Sequence, residues 1–483
     1  MAYRILSWFL RIVTRVFFRQ VEVVGLENIP SGPVLFAGNH PNSLIDPILI
    51  ITTCGRKVHF AAKDTLFKGR IMRALLKGLG AVPLARKVEH DGKASASPPA
   101  ASRDSADMGR VNDAAFEHMF QVLETGGAIG IFPEGLSHDE SHLAKLKTGA
   151  ARLALGGAAK TKGPIAIVPC GLTFIHPKRF RSRVLVQYGP PLTIGERTEP
   201  DAVKQVTSEI ADAMRRLTIN APDWETVRAL DTVRRLYQPQ EISIEDRIEL
   251  SRRFNTYYGA VAANPKVVEL MARVRSYQEK LDELGITDRE LALDLSKLQV
   301  SARMMRHLVL VAWWLPLCVP GAPLHIPTVA FARIVGPRLT PRKDVIATTK
   351  MLVGMLLVVL SYAAAVVVLG WKLGFWWGLG AAIVLPMSGW ATLRVLDRLR
   401  LVRRAFGVLA RRLRFRSEVL ALRLEREQLS ADVIRIVGDV KPRELEALFP
   451  PDHPDRLHES SEARKAAELD AEFDKDAAEA REP

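Results

Sequence analysis

Two uncharged apolar runs in the last third of the chain constrain its fold more than any other feature. The first, "MLVGMLLVVLSYAAAVVVL", covers residues 351–369, and the second, "LGFWWGLGAAIVLPMSGWATL", covers residues 373–393. Each run has about the 20 residues that a helix needs to cross a bilayer core. The break at 370–372 is short enough for a helical hairpin. Two buried helices of a soluble core are the alternative, but uncharged helices of this length with tryptophans near the turn are uncommon in soluble domains.

The positive charge of the chain is concentrated beside this hairpin. The net charge is +15, and residues 394–426 hold eleven arginines against three acids. Because positive charge accumulates on the cytoplasmic side, we expect both termini in the cytoplasm, at a bacterial inner membrane, although an endoplasmic reticulum location would satisfy the same charge rule. Arginines interleaved with Leu, Val and Phe predict basic amphipathic helices over 396–450 that lie on anionic lipid. This placement explains the basic balance without a nucleic-acid partner.

The N-terminal segment, residues 1–20, has a similar pattern. Its arginines at positions 4, 11, 15 and 19 fall on one helical face, and aromatic and aliphatic residues occupy much of the rest. A signal peptide would have an uninterrupted apolar core and a small-residue cleavage site, and neither is present. The pattern predicts an amphipathic interfacial helix, with a surface helix packed on a soluble domain as the alternative.

Residues 21–220 have the pattern of a soluble α/β domain. Short apolar runs such as "GPVLFAGN", "GAIGIFPEG" and "IAIVPCGLTF" end in Gly, Pro or polar residues and alternate with helical patterns. This alternation predicts a mostly parallel sheet flanked by helices, with ligands at the carboxyl ends of the strands. The run "IVPC" contains Pro169, which predicts that its strand ends there or lies at a sheet edge. Residues 90–109 are rich in Ser, Ala and Pro, and they predict a flexible insertion.

The remaining segments complete the predicted organisation. Residues 221–300 read as a soluble helical region, and residues 301–395 read as a membrane region. Within the latter, four prolines interrupt the apolar residues 306–335, which favours a re-entrant or interfacial segment over a spanning helix. The polar residues 451–483 predict a disordered tail. The three cysteines are far apart in sequence, which argues against a zinc site or disulfide scaffold and fits a reducing compartment.

The chemistry is carried by four short blocks at predicted strand ends. The first runs from Asn39 to Asp46 and contains His40, which could accept a proton from an attacking hydroxyl while Asp46 orients the ring. The others are "GAVPLAR", which ends in Arg86, then "IFPEG" and "IVPC". In this order the four blocks resemble the glycerolipid acyltransferase family, which esterifies glycerol phosphate or a lysophospholipid from an acyl thioester. The resemblance spans about two fifths of the chain.

Two departures from the usual family pattern are informative. Five residues separate His40 from Asp46 where the family has four, and Leu136-Ser137-His138 replaces the usual Thr-Arg-Ser after the FPEG glycine. Both departures look like the fungal-type glycerol-3-phosphate/dihydroxyacetone phosphate acyltransferase branch, which also carries a membrane hairpin. The missing arginine leaves phosphate binding to other cations.

The resemblance implies a role for each matched residue. His40 is the general base and Asp46 its orienting partner, and Lys63, Arg86, Glu134, Gly135 and Ser137 bind the substrate. Lys147 is added to the substrate-binding set for a separate reason, because it lies at the start of a predicted helix, where the N–H groups near Thr148 and Gly149 make a reasonable anion site. The resemblance also implies an acyl-CoA or acyl-carrier-protein co-substrate, a glycerol phosphate or lysophosphatidate acceptor, and no metal or cofactor. The GxSxG nucleophile elbow is missing from the sequence, which favours direct transfer over an acyl-enzyme and argues against a lipase-like hydrolase.

Four possibilities remain open at this point. The acceptor can be glycerol-3-phosphate, dihydroxyacetone phosphate or, as the wider family suggests, 1-acylglycerol-3-phosphate. A protein of a different class, an inactive membrane scaffold that binds lipid, is the remaining possibility, and the altered His–Asp spacing is its main support.

Overall fold

The computed structural model of the protein describes residues 2–84, 105–221, 223–239, 242, 244–292, 297–339, 342–441 and 448–449. The chain divides into two units. The first comprises Met1–Thr218 and Thr328–Leu357, and the second comprises Ile219–Pro327 and Val358–Pro483. The first unit contains the β-sheet, whereas the described part of the second is helical.

The first unit is built on an eight-stranded sheet. Its strands are β1 (Phe18–Val24), β2 (Val34–Gly38), β3 (Val58–Lys63), β4 (Val82–Leu84), β5 (Ala128–Ile131), β6 (Ile165–Phe174), β7 (Ser182–Tyr188) and β8 (Leu192–Ile194). Their order is β1-β7-β6-β2-β5-β3-β4, and β8 also pairs with β6. Only the β6–β7 and β6–β8 ladders among them are antiparallel, so the expected mostly parallel sheet is confirmed.

Helices cover both faces of this sheet, and this explains why the residues of β2 are almost all apolar. Val34 and Phe36 pack in one buried cluster, whereas Leu35 and Ala37 pack in a second cluster on the other face. A strand buried on both faces reads as a continuous apolar run. The helices of the unit are α1 (Ala2–Phe17), α2 (Ile45–Thr53), α3 (Arg70–Gly78), α4 (Ser105–Glu124), α5 (Gly149–Thr161) and α6 (Ala202–Arg215).

The prediction that proline would end β6 or place it at an edge is wrong. Strand β6 lies inside the sheet, and Pro169 sits in its middle. On one side of β6, the antiparallel ladder to β8 uses residues 165–167, and the ladder to β7 uses residues 170–174. Pro169 falls in the gap between these two ladders. Its missing N–H therefore costs neither ladder a hydrogen bond.

The N-terminal helix α1 combines the two alternatives that the sequence left open. One of its faces packs on the domain core through Tyr3, Leu10 and Phe17. A different stripe, at helical spacing, is apolar and exposed: Ile5, Trp8, Ile12 and Val16. The helix ends at Phe17, so Arg19 belongs to β1 and not to the arginine face of the helix.

Five of the helices in the second unit share one buried core. They are α7 (Trp224–Tyr237), α8 (Ile244–Val261), α9 (Pro265–Leu284), α10 (Asp288–Ala292) and α15 (Arg416–Val440). This arrangement corrects the expectation for residues 396–450. Helix α15 buries Val419, Leu422, Leu429 and Val433 in the core, so its apolar face packs on protein. The soluble helical region expected over 221–300 therefore includes a later segment of the chain.

The apolar region forms longer helices than the sequence suggested. They are α11 (Lys297–Cys318), α12 (Ala322–Leu339), α13 (Ile346–Leu373) and α14 (Phe375–Arg414), and α11 and α12 are joined by a 3₁₀ turn at Val319–Gly321. Helix α11 continues through Pro316, and α12 includes Pro323 and Pro327, so the expected interruption at every proline is wrong. Three helical stretches are long and apolar enough to cross a membrane: Met304–Ile334, Ile346–Leu373 and Phe375–Arg403.

The turn between α13 and α14 lies two residues later than the apolar runs suggested. Gly374 makes it, with a φ of 102° that favours glycine. Gly370 and Lys372 are helical. Beyond the turn the two helices approach closely, because a Cβ on Gly378 would lie 3.0 Å from the Val366 carbonyl oxygen. The predicted tail at 451–483 and most of the predicted insertion lie outside the described residues, although 105–109 belong to α4.

Candidate active site

Three of the predicted site residues lie at one edge of the sheet. Strands β2, β3, β4 and β5 are mutually parallel, so their carboxyl ends face the same way. His40 lies two residues beyond the end of β2, Glu134 lies three residues beyond the end of β5, and Lys63 is the last residue of β3. This edge is where open parallel sheets bind their ligands.

His40 and Asp46 are in direct contact. The Nδ1 atom of His40 lies 2.8 Å from Oδ2 of Asp46. The same carboxylate oxygen accepts a 2.7 Å hydrogen bond from the backbone N–H of Asn42. The ring of His40 also stacks on Phe132, with the centroids 4.1 Å apart and the planes within 10°. Contacts at the ring face and at Nδ1 fix the imidazole and direct Nε2 away from Asp46.

The loop between the two residues is closed by a left-handed residue. Ser43 has a φ of 52°, a conformation that non-glycine residues seldom adopt. Turn hydrogen bonds from Ile45 N to Asn42 O and from Asp46 N to Ser43 O, 3.2 and 3.3 Å long, then start α2. The extra residue of the spacer is thus absorbed by a tight turn, and Asp46 in the first turn of α2 still reaches the imidazole.

The environment of Asp46 favours its protonated form. The side chain is fully buried, and burial raises the pKa of Asp46 to about 6, although the hydrogen bond to His40 acts in the opposite direction. Its second oxygen, Oδ1, is buried and has no hydrogen-bond partner within the described part of the chain. A buried carboxylate with one unsatisfied oxygen costs the fold free energy. Such a cost is typical of a residue retained for chemistry.

Glu134 organises the loops around this pair. It is buried, its Oε1 accepts a 2.8 Å hydrogen bond from the backbone N–H of His40, and its Oε2 accepts from His138 Nε2 and from Ala144 N. Glu134 also raises the pKa of His138. The carboxylate therefore joins the loop after β2 to the loop after β5, and this position suits an orienting role better than direct substrate binding.

Two of the smaller predicted residues shape the same loops. Gly135 has a φ of 78°, which favours glycine, and a Cβ there would lie in a tight contact 3.1 Å from Cγ of Lys147. Ser137 accepts a 3.0 Å hydrogen bond from the backbone N–H of Ser43 through its hydroxyl oxygen. Both residues therefore lie against the His40–Asp46 turn or the loop beside it.

Two of the three predicted phosphate-binding cations lie within the described residues, and both are exposed. Lys63 is exposed at the end of β3, and exposed Lys147 uses its backbone N–H for a 2.7 Å bond to the Pro133 carbonyl. Arg86 lies outside the described residues.

Sequence reasoning missed several residues that hold the site. Asn39 pairs with the backbone of Leu172 on β6 through two hydrogen bonds of 2.7 and 3.1 Å, which fixes the end of β2. Asn42 donates its side-chain N–H to the Pro177 carbonyl at 3.1 Å. Both lie inside the first block, where asparagines at a strand end could have signalled backbone pairing. Phe132 is the first residue of the FPEG block, but nothing in the sequence indicated that its ring would stack on His40.

The arrangement can perform base-catalysed acyl transfer. It offers an imidazole fixed at Nδ1 by a carboxylate, and across the described residues Nε2 has no protein partner. No group of three or more His, Cys, Asp or Glu side chains with metal-ligand geometry occurs among the residues that the structure describes.

Comparison with known proteins agrees with this geometry. A family model described as Acyltransferase matches residues 20–173, and one described as Glycerol-3-phosphate acyltransferase 2 C-terminal domain matches residues 229–445. The mostly parallel sheet with a His–Asp pair at its carboxyl edge is thus an acyltransferase domain.

Three curated relatives give more detail. Glycerol-3-phosphate O-acyltransferases 2 and 1 of Saccharomyces cerevisiae are each 30% identical over 52% and 50% of this chain, but over only 37% and 35% of their own lengths. An uncharacterized acyltransferase of Schizosaccharomyces pombe is 24% identical over 93% of this chain and 82% of its own. Together with the two family models, these matches support a fungal-type glycerol-3-phosphate acyltransferase family.

Proposed function

We propose that the protein transfers an acyl group from an acyl thioester to a hydroxyl group of glycerol-3-phosphate. The observation that carries this proposal is the His40–Asp46 pair at the carboxyl edge of the sheet, with the imidazole oriented and Nε2 left for a substrate. The names of the two Saccharomyces cerevisiae relatives support the choice of acceptor.

The chemistry needs a base because a glycerol hydroxyl is a poor nucleophile at neutral pH. In the proposed reaction, Nε2 of His40 takes the hydroxyl proton as the oxygen attacks the thioester carbonyl. Asp46 keeps the proton of Nδ1 on the far side of the ring and stabilises the imidazolium. The tetrahedral intermediate then collapses, the C–S bond breaks, and the thiol leaves with the proton from His40. Atoms and charge balance without a metal or cofactor.

The proposed reaction also needs binding sites for the acyl donor and for the phosphate of the acceptor. The acyl donor is an acyl-CoA or an acylated carrier protein, and the phosphate of the acceptor binds the cations at the carboxyl edge. Lys63 is exposed at the end of β3, and Lys147 is exposed beside Gly135 of the FPEG loop. Arg86 is the third cation, expected from the family resemblance.

An acceptor panel tests the proposal. Purified protein is given labelled acyl-CoA with glycerol-3-phosphate, dihydroxyacetone phosphate or 1-acylglycerol-3-phosphate in parallel, and the products are separated. We expect glycerol-3-phosphate to give the highest kcat/KM. A preference for 1-acylglycerol-3-phosphate would replace this acceptor by the lysophosphatidate alternative. The inactive-scaffold alternative predicts that His40→Ala still complements a strain that lacks the gene.

We also propose that the enzyme is held at the cytoplasmic face of a membrane, with α13 and α14 as a spanning hairpin and α11–α12 as a re-entrant one. In this proposal α11 starts at the cytoplasmic face, because His307, near the start of its apolar stretch, bonds to Arg398 at the basic end of α14. Helix α13 starts at that face too, because Thr348 and Lys350 bond to the acyltransferase domain. The chain between them must therefore cross the membrane an even number of times or not at all.

Side-chain contacts at different depths support a fold-back of α11 and α12. His307 of α11 bonds to Arg398 near the basic end of α14, and Cys318 at the end of α11 bonds to Thr392 deeper along α14. In α12, His325 bonds to Tyr362, sixteen residues into α13, whereas Ala332 lies beside Gly354. In the proposed topology, α11 therefore runs from the cytoplasmic face into the membrane, and α12 runs back toward that face.

Cysteine labelling tests this topology. In spheroplasts or sealed vesicles, a cysteine at position 374 is expected to react with a membrane-impermeant maleimide only from the side opposite the catalytic domain. Single cysteines at positions 301 and 343 are expected to react only from the domain side. Labelling of positions 301 and 343 from opposite sides would show that α11–α12 crosses the membrane once, and it would refute the re-entrant hairpin.

A further inference from the structure

A short segment before the membrane hairpin, residues 342–350, contacts the catalytic edge of the sheet. Three of its side chains each donate to a backbone carbonyl in a different loop. Arg342 Nη2 donates to Ser137 O at 3.0 Å, Thr348 Oγ1 to Asn42 O at 3.1 Å, and Lys350 Nζ to Lys178 O at 2.9 Å.

Those three loops are the ones that form the site. Asn42 belongs to the His–Asp turn, Ser137 to the loop after β5, and Lys178 to the connection between β6 and β7. The loops are also tied to one another, because Ser137 Oγ accepts from Ser43 N at 3.0 Å and Lys178 pairs with Asp139 at 2.5 Å. The 342–350 segment therefore braces a network that already includes the catalytic turn.

The segment is itself firmly placed. Ala347 and Met351 are buried in the same cluster as Ile45 and Leu49 of α2. Asp344, which is only 6% exposed, pairs with Arg342 at 2.7 Å and so fixes the guanidinium beside Ser137. Thr348 is buried, and the carbonyl that it contacts belongs to the residue whose N–H holds Oδ2 of Asp46.

We propose that Arg342, Thr348 and Lys350 form a positioning element of the active site, and that Thr348 holds the His–Asp turn in its reactive geometry from a position 306 residues later in the chain than Asn42. None of these residues touches the reacting atoms. They act through the backbone of Asn42, Ser137 and Lys178. The segment lies outside the residues 20–173 that the Acyltransferase family model matches. This inference rests on the proposed transferase function.

Thr348→Val is the central variant, because valine keeps the shape of threonine and removes the donor. We expect kcat to fall about fivefold, the rate equivalent of one ordinary hydrogen bond, while KM for the acyl donor stays unchanged. Thr348→Ser restores the donor and is expected to recover kcat. Thr349→Val is the matched control, because the neighbouring Thr349 Oγ1 bonds at 3.1 Å to Val345 O, within its own segment.

A second pair of variants tests the rim contact. Arg342→Gln is expected to lower kcat by a similar factor, whereas Lys343→Gln, a change of the same charge at the exposed neighbouring position, is expected to leave it unchanged. Melting temperatures are measured for all variants, since a purely structural role predicts activity losses that simply follow a loss of folded protein.

A readout independent of turnover separates this inference from the proposed function. The rate at which diethyl pyrocarbonate modifies His40 is followed by mass spectrometry across pH 5–8 in the wild type, Thr348→Val and Thr349→Val. We expect the profile of His40 to shift in Thr348→Val alone. If the wild type transfers no acyl group to any acceptor, the proposed function fails, and the His40 profile still decides the inference. Unchanged kcat and an unchanged profile in Thr348→Val would overturn it.

Discussion

Replacing Asp46 by asparagine removes a buried carboxylate while keeping its shape. The amide oxygen can take the place of Oδ2, which accepts from the His40 ring and from Asn42 N. The amide nitrogen then takes the place of Oδ1, which has no partner among the described residues. The fold is expected to survive, so that the effect on chemistry can be measured apart from the effect on folding.

The expected magnitude follows from the pKa of Asp46. Burial raises it from 3.8 to about 6, and a shift of about two units corresponds to about 3 kcal/mol. Because the folded-state pKa is raised, this contribution to stability is fully present below pH ~4 and is lost as the pH rises through about 6. The free energy of unfolding of the wild type should therefore fall, relative to that of Asp46→Asn, by up to about 3 kcal/mol over this window. The buried amide N–H groups cost about 1–3 kcal/mol at every pH and do not alter this dependence.

The assay combines melting with turnover. Melting temperatures of the detergent-solubilised wild type and Asp46→Asn are compared across the window from pH 4.5 to pH 8, and initial rates are compared at pH 7.5. We expect the melting temperature of the variant to rise relative to that of the wild type as the pH rises. We expect its kcat to be about 10²–10⁴-fold lower. Asp212→Asn, at an exposed helix position, is the control and should show neither effect. A melting difference that is the same at both ends of the window, or a variant with more than half of the wild-type rate, would refute this account of Asp46.

Three further changes test other parts of the structure. Ser43→Val should lower both the free energy of unfolding, by about 1–2 kcal/mol, and kcat, because a β-branched residue resists the left-handed turn, whereas Ser43→Gly should keep activity; thermal melts and initial rates decide. Glu134→Gln should destabilise the fold by about 2–4 kcal/mol, because an amide N–H₂ would face the two donors from which Oε2 now accepts hydrogen bonds. Equal melting curves for the variant and the wild type would contradict this. Gly378→Leu should lower the melting temperature by separating α13 from α14, whereas Gly380→Leu, where a Cβ meets no atom within 4 Å, should not; equal losses would contradict the close approach at Gly378.

The sequence was sufficient to predict the acyltransferase domain and its central pair. Apolar runs that end at His40, Lys63 and Glu134 imply parallel strands whose carboxyl ends share an edge, and the structure has that edge. The length of the spacer between His40 and Asp46 could be counted, but its path could not be derived from pattern alone, because its closure depends on a single φ value at Ser43.

The features that the sequence analysis predicted wrongly or did not predict have identifiable physical causes. Pro169 reads as a strand breaker, and only the partner strands reveal that it falls between two ladders. The apolar face of α15 has the same pattern whether it meets lipid or the core of a helical bundle. Thr348 carries no signal at all, since a threonine at the start of an apolar helix is ordinary until the fold brings it to Asn42.

The most direct test of the central claim is the initial rate of acyl transfer from labelled acyl-CoA to glycerol-3-phosphate by the wild type and by His40→Ala, each shown to be folded by its melting curve. The general-base mechanism predicts product from the wild type and a rate at least about 10²-fold lower for the variant. A His40→Ala protein that forms product at the wild-type rate would contradict it.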